Sequence, residues 1–401
     1  MKYTRYVVIF MVIGLFVSVA SVFSVASQDS GIAWIYQSPQ KYRDLYLREA
    51  AVCGDIAVVS PVSVSSAGEF YPFTQAIDVQ TGSIMWTASV GGHVMCTRDG
   101  IYLLDDFQHI ARYLSIWGYV ERERYVPVSR GRFMVKTDYG IAVLESDGTV
   151  LLMGAGLTGG ASITTSYPPA IGSMLVSDGQ MLFWKTQTND HYAIVGFDIL
   201  HAKVVWVKQI NIHKSYMVPY DKYLFVSGFE KLYVIDKMSG NILRSYDVAY
   251  YEPYIVASNG KLLIPRKDWL DVFDKDNGLL VRVYKDSDMV FSAYSIAGSR
   301  VINVDSDAGK AYACTITSDL QCIARKVWTF SENMIMGDKV YGTGLNFVVP
   351  VKDGWLVFLT YRTVPTRYIN GYEVIFLEDK GVSPTNEWET PFGGPDGDGM
   401  P

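Results

Sequence analysis

Catalytic signatures are missing from this chain. No HExxH, GxSxG or CxxC occurs, and the five histidines are scattered at positions 93, 109, 191, 201 and 213. Carboxylate pairs occur only in turn-like contexts, so no reaction class is implied and the chain is expected not to be an enzyme. There is no excess of positive charge either: the formal net charge is −6, and more negative still without Lys2 and Arg5, which excludes a nucleic-acid footprint. Cysteine is sparse, with four residues, and only one long apolar run exists, at the N-terminus. No cofactor or metal site is expected.

What is present is a repeated hairpin. In Ala76–Val90, AIDVQTGSIMWTASV, small or polar residues alternate with Ile77 and Val79, a Gly82 turn reverses the chain, and a second strand runs into Trp86. The order recurs at Phe197-Asp198 to Trp206, Ile235-Asp236 to Arg244 and Phe273-Asp274 to Arg282, with the three aspartates 38 residues apart. A glycine follows four residues after the aspartate in three of the four copies (Gly82, Gly240, Gly278); Ala202 replaces it in the other. A strand-only period of about 40 residues marks a β-propeller or a β-solenoid, in which each unit buries its faces only against its neighbours.

The fold expected is therefore all-β: a single propeller of about eight four-stranded antiparallel blades, with seven and one irregular insertion as the alternative. Second strands are placed near residues 55–60, 100–104, 132–136, 179–185, 222–227, 260–265, 299–305 and 354–361. The 30–38 segment, SGIAWIYQS, resembles a last strand without partners, whereas 355–362 and 372–378 lack a following strand. Pairing them would close the ring and remove its exposed edges.

Three regions follow. Residues 1–26 carry Lys2 and Arg5, then the apolar run Tyr6 to Phe23 and a Ser24-Val25-Ala26 cleavage-like site, so they read as an export signal or an uncleaved membrane anchor. Residues 30–380 form the propeller, and the Gly, Pro and Asp-rich tail 381–401 is expected to be disordered or loosely docked. Either leader places the rest outside the cytoplasm: secreted, periplasmic or on the outer face of the membrane.

In that compartment, Cys314 and Cys322, separated by a hairpin centred on Ser318, read as a cross-strand disulfide or as buried thiols. Cys53 and Cys96 end the innermost strands of adjacent blades and could bridge them; a partial metal set with His93 is a remote alternative. Gly154 to Gly159 matches GxGxxG, but GASITTSYPP follows it, with no helix pattern, so it reads as an interblade loop. Glu121-Arg122-Glu123-Arg124 reads as a solvated outer strand or an anion-binding patch. Asp396 and Asp398 alone do not make a calcium loop.

Blade polarity puts first-to-second and third-to-fourth turns on one face, where Asp-Gly and Asn-Gly pairs predict short turns. The other face receives the long segments 61–74, 154–169, 186–191 and 363–372, bearing Phe70, Tyr71, Phe73, Tyr167, Arg367 and Tyr368. Aromatic loops on a rigid scaffold make Phe70, Tyr71, Tyr167, Arg367 and Tyr368 the candidate partner-binding residues.

The pattern xxDxxTGxxxW, carried by AIDVQTGSIMW, resembles the tryptophan-docking repeat of the PQQ-like, or quinoprotein-alcohol-dehydrogenase-like, propellers. The resemblance covers most of residues 30–380 and degenerates where Arg244, Arg282 and Leu152 stand in the tryptophan position. It implies interblade docking by Trp34, Trp86, Trp206 and Trp328 and turn roles for Gly82, Gly240 and Gly278. A vicinal cysteine pair and a calcium-quinone site have no counterpart here, so it implies a non-catalytic member similar to outer-membrane-assembly scaffolds, binding a protein or cell-envelope partner. A quinone-dependent or sugar-oxidising enzyme and a membrane-anchored ligand-sensing module are the alternatives.

Overall fold

The computed structural model describes residues 31–38, 44–64, 70–97, 99–128, 133–170, 173–188, 191–210, 216–228, 231–247, 256–258, 261–265, 269–274, 279–285, 293–305, 309–318, 322–329, 339–341, 346–363 and 371–383. Among them the strands form eight antiparallel sheets, the blades. Blade 1 consists of Asp44–Cys53, Ile56–Val64, Thr74–Asp78 and Ile84–Ala88, from the innermost strand to the outermost, with Phe70–Pro72 added to its second strand. Blades 2 to 7 repeat that order and begin at His93, Met134, Leu175, Tyr216, Val256 and Ala293.

Blade 8 is assembled from both ends of the described chain. Phe347–Val351, Gly354–Thr363 and Gly371–Glu378 supply three strands, and Ile32–Gln37 the fourth, with Trp34 opposite Phe376 and Tyr36 opposite Val374. The ring closes as the unpartnered 30–38 strand predicts. Innermost strands touch their neighbours around the ring, including that of blade 8 against that of blade 1. The core lies between blades: one buried cluster joins Trp34 and Tyr36 of blade 8 to Leu45, Val59 and Ile77 of blade 1, and another runs through blades 2, 3 and 4. A four-stranded sheet has two apolar faces, and stacking against a neighbour on each side covers both.

Three local expectations change. Residues 132–136 are not a second strand: Met134–Thr137 is the innermost strand of blade 3, and Gly140–Leu144 is the second. The chain reverses at Gly140, whose φ of +132° suits glycine. The 154–169 segment is not an interblade loop. Ala155–Leu157 is a 3₁₀ turn, and Thr158–Thr164 is the outer strand of blade 3, a role its β-branched residues suit. Leu152 sits on the third strand opposite Ala161, not in a tryptophan position. Of the tail, residues 381–383 are described: Val382 is buried and its carbonyl accepts the Asp353 N–H at 2.9 Å.

Residues 1–30, which hold the leader, and 384–401, which hold Asp396 and Asp398, lie outside the described residues, as do Gly278, Arg367 and Tyr368. Among the described residues no helix is long and apolar enough to cross a membrane.

Candidate functional site

Second-to-third connections define one face of the disc, and here several hairpins overshoot the ring. The second strand of blade 1 runs to Val64 and pairs with Phe70–Pro72; that of blade 4 runs to Thr188, opposite His191; that of blade 8 runs to Thr363 and also pairs with Lys339–Tyr341. Parts of the expected long segments 61–74 and 186–191 are thus paired strand, which stiffens this face. The opposite face carries tight turns. There the Asp78 carboxylate accepts the N–H groups of Gln80 and Thr81, and Asp236 accepts that of Ser239; the Ser239 hydrogen bonds hold the Asp236 carboxyl below its ordinary range.

Behind the hairpin face lies a belt of buried polar groups. Glu49, on the innermost strand of blade 1, follows a bulge after Leu47 that re-aims its side chain. Its Oε2 accepts the Val94 N–H at 3.2 Å and lies 2.9 Å from His93 Nδ1, whose Nε2 is 3.6 Å from Asp106. Ser60 Oγ accepts the Gly92 N–H at 2.9 Å. In blade 2, buried Arg112 joins Asp105, Gln108 and Glu123. Blade 4 buries Lys185 with Nζ 4.9 Å from the Tyr192 ring centroid, and desolvation pushes the ammonium pKa down. Gln75 Oε1 accepts the hydroxyls of Tyr36 and Tyr372 across the seam between blades 8 and 1. These groups fix the blades under the hairpins and are paired with one another, an arrangement suited to a rigid recognition surface.

Two features of the sequence mark this belt. Glu49 stands directly before the apolar run Ala50–Cys53 in DLYLREAAVC, and Lys185 directly after the apolar run Met181–Trp184 in MLFWKTQT; a charge inside such a strand needs a buried partner.

The sequence-selected residues are distributed unevenly. Phe70 and Tyr71 lie on the added strand of blade 1. Tyr167 is half-buried against the core, and its carbonyl accepts the Trp184 Nε1–H at 2.9 Å. Trp34 donates to Val79 O at 3.0 Å, Trp86 to Ile116 O at 2.8 Å and Trp206 to Lys237 O at 2.9 Å, each in the next blade. Their rings lie on Gly82, Gly118 and Gly240, of which Gly118 was not expected. Trp328 is fully buried, but its ring meets Gly31 and its Nε1 has no acceptor among the described residues.

Cys53 and Cys96 form a disulfide between blades 1 and 2, so neither thiolate is free for a metal set with His93. Cys314–Cys322 is also bridged, though not directly across: Ile316 opposes Cys322, and a bulge between Ala313 and Thr315 shifts Cys314, leaving the Cα atoms 5.5 Å apart. The expected anion patch is largely consumed, because Arg122 and Arg124 donate to the Gly156 and Gly159 carbonyls of blade 3. A cleft of about 670 Å³ at the junction of blades 7 and 8, on the turn face, is lined by Arg300 and Asp379, which pair with each other.

No protein-family model and no curated protein matches the chain. Its architecture defines a β-propeller, and solved propellers resemble it. BamB from Moraxella catarrhalis superposes with a TM-score of 0.51 at 13% identity, over 86% of this chain and 96% of that one. The Dos1 propeller gives 0.56 at 10% identity over 86% and 95%. Sqt1 from Saccharomyces cerevisiae gives 0.56 at 11% identity over 85% and 97%. At these identities the likeness is one of fold.

Proposed function

We propose that this chain is an extracytoplasmic, non-catalytic propeller of the PQQ-like type that binds a protein or cell-envelope partner through its hairpin face. The observation that carries the reading is the asymmetry of the disc: overshooting hairpins backed by a buried polar belt stand on one face, and tight turns on the other. Two disulfides support an oxidising compartment. The tryptophan-on-glycine contacts between blades support the repeat type.

Capture from envelope extract tests the function, using the purified protein and Tyr71→Ala. Recovery of a partner that falls at least several-fold with the variant supports the hairpin face; equal recovery removes it. Saturable binding of PQQ with calcium, together with dye-linked oxidation of an alcohol or sugar, would replace the scaffold reading with the enzymatic one.

A further inference from the structure

Large apolar side chains are exposed along the turn face of this disc. In blade 2, Trp117 and Tyr119, 62% and 73% exposed, occupy the third-to-fourth turn; Tyr139 occupies the first-to-second turn of blade 3. Leu200 and Met238 occupy the third-to-fourth turns of blades 4 and 5, and Ile242 and Leu243 begin the outer strand of blade 5. These residues span four consecutive blades. Phe107 and Tyr125 stand on the opposite face, and Val205 and Val327 on the rim.

Turn chemistry does not require them. In blade 4 the Asp198 carboxylate accepts the His201 N–H, and in blade 5 Asp236 accepts the N–H and hydroxyl of Ser239. Leu200 and Met238, two residues after the aspartate, are free in identity. The matching position of blade 1 holds exposed Gln80. Exposed apolar side chains gathered on one face mark a contact surface.

The path of the chain gives this face an orientation. Gly31, whose carbonyl accepts the Glu378 N–H at 2.8 Å, starts the outer strand of blade 8 on this same face, and the strand then runs toward the hairpin face. The apolar run 6–23 therefore joins the disc from the turn side through the seven residues 24–30, a reach of at most about 25 Å. A retained anchor brings this face to the bilayer.

We propose that the turn face rests on a phospholipid bilayer, with Trp117 and Tyr119 in the headgroup layer and Leu200 and Met238 on the same plane. Aromatic side chains favour that interface because their rings are apolar and their N–H or O–H groups reach water. The face also carries Asp78, Asp198 and Asp236, so the contact is apolar and works on zwitterionic lipid. The inference deepens the proposed function and rests on residues 6–23 remaining as an anchor; it turns the hairpin face away from the membrane.

The test uses the full chain reconstituted in phosphatidylcholine bilayers with and without brominated acyl chains. Residues 1–30 contain no tryptophan, and Trp117 is 62% exposed on the turn face. Brominated lipid is expected to quench the emission, and Trp117→Phe to remove at least half of the quenched fraction. The double variant Leu200→Ser/Met238→Ser is expected to weaken quenching without changing the thermal midpoint. Equal emission in both bilayers overturns the proposal and leaves this face to a protein or to water; undiminished quenching in Trp117→Phe also overturns it, as does an exported protein that begins after Ala26. Partner capture that still depends on Tyr71 separates failure here from failure of the hairpin-face reading.

Discussion

Trp34 donates its indole N–H to the Val79 carbonyl at 3.0 Å and lays its ring on Gly82, so the strand that completes blade 8 is fastened to a turn of blade 1 across the seam of the ring. A Cβ on Gly82 would lie 2.7 Å from ring atoms of Trp34, and φ at Gly82 is +71°. Gly54 has a similar φ of +63° with nothing within 4 Å. Gly54→Ala is therefore expected to cost about 1–2 kcal/mol from backbone strain alone. Gly82→Ala adds about 1–3 kcal/mol of overpacking. Urea unfolding of the two variants separates the terms; equal losses would show that the indole yields freely.

The disulfides should differ in their contribution. Cys53–Cys96 closes a loop with a sequence separation of 43, Cys314–Cys322 one of 8. Chain entropy gives about 4 kcal/mol for the first and about 2.5 kcal/mol for the second. Paired Cys→Ser substitutions, compared by thermal unfolding, should rank them in that order.

Arg300 and Asp379 join blade 7 to the segment that follows the third strand of blade 8. Arg300 Nε and Nη2 donate to the two carboxylate oxygens at 2.7 and 3.1 Å, and Trp355 Nε1 donates to one of them at 3.1 Å. Asp379→Ala strands a largely buried guanidinium, at an expected cost of about 3–5 kcal/mol. Arg300→Met/Asp379→Leu together should lose less. Denaturant midpoints check both.

Lys185 predicts a pH dependence. Burial lowers its pKa in the folded chain, so between that value and the unfolded value of about 10.4 the unfolded chain holds more protons, and stability rises with pH through the interval. Below the folded pKa both states are protonated, and the full cost of the buried charge remains. Lys185→Met is expected to raise stability at neutral pH and to flatten the alkaline rise, measured by urea midpoints from pH 7 to 10.

Much of the architecture was legible because its causes are local. Period-two alternation and Asp-to-Gly turns such as Asp78–Gly82 depend on residues within a hairpin, and the unpartnered Trp34 strand followed from counting strands. Blade 3 is less legible: the lack of a helix pattern after Gly154–Gly159 points to a loop, whereas Thr158–Thr164 is an outer strand.

By itself, then, the sequence determined a ring of repeated hairpins and named the four cysteines as candidates for bridging, since hairpin spacing and strand counting are local; the structure decided that both pairs are joined. Tertiary structure decided that Glu49 meets His93 from the neighbouring blade, that Trp86 lies on Gly118, and that Trp117, Leu200 and Met238 share a face. Such relations join residues on different blades, where bulges and interblade stacking set the geometry and no local pattern records it.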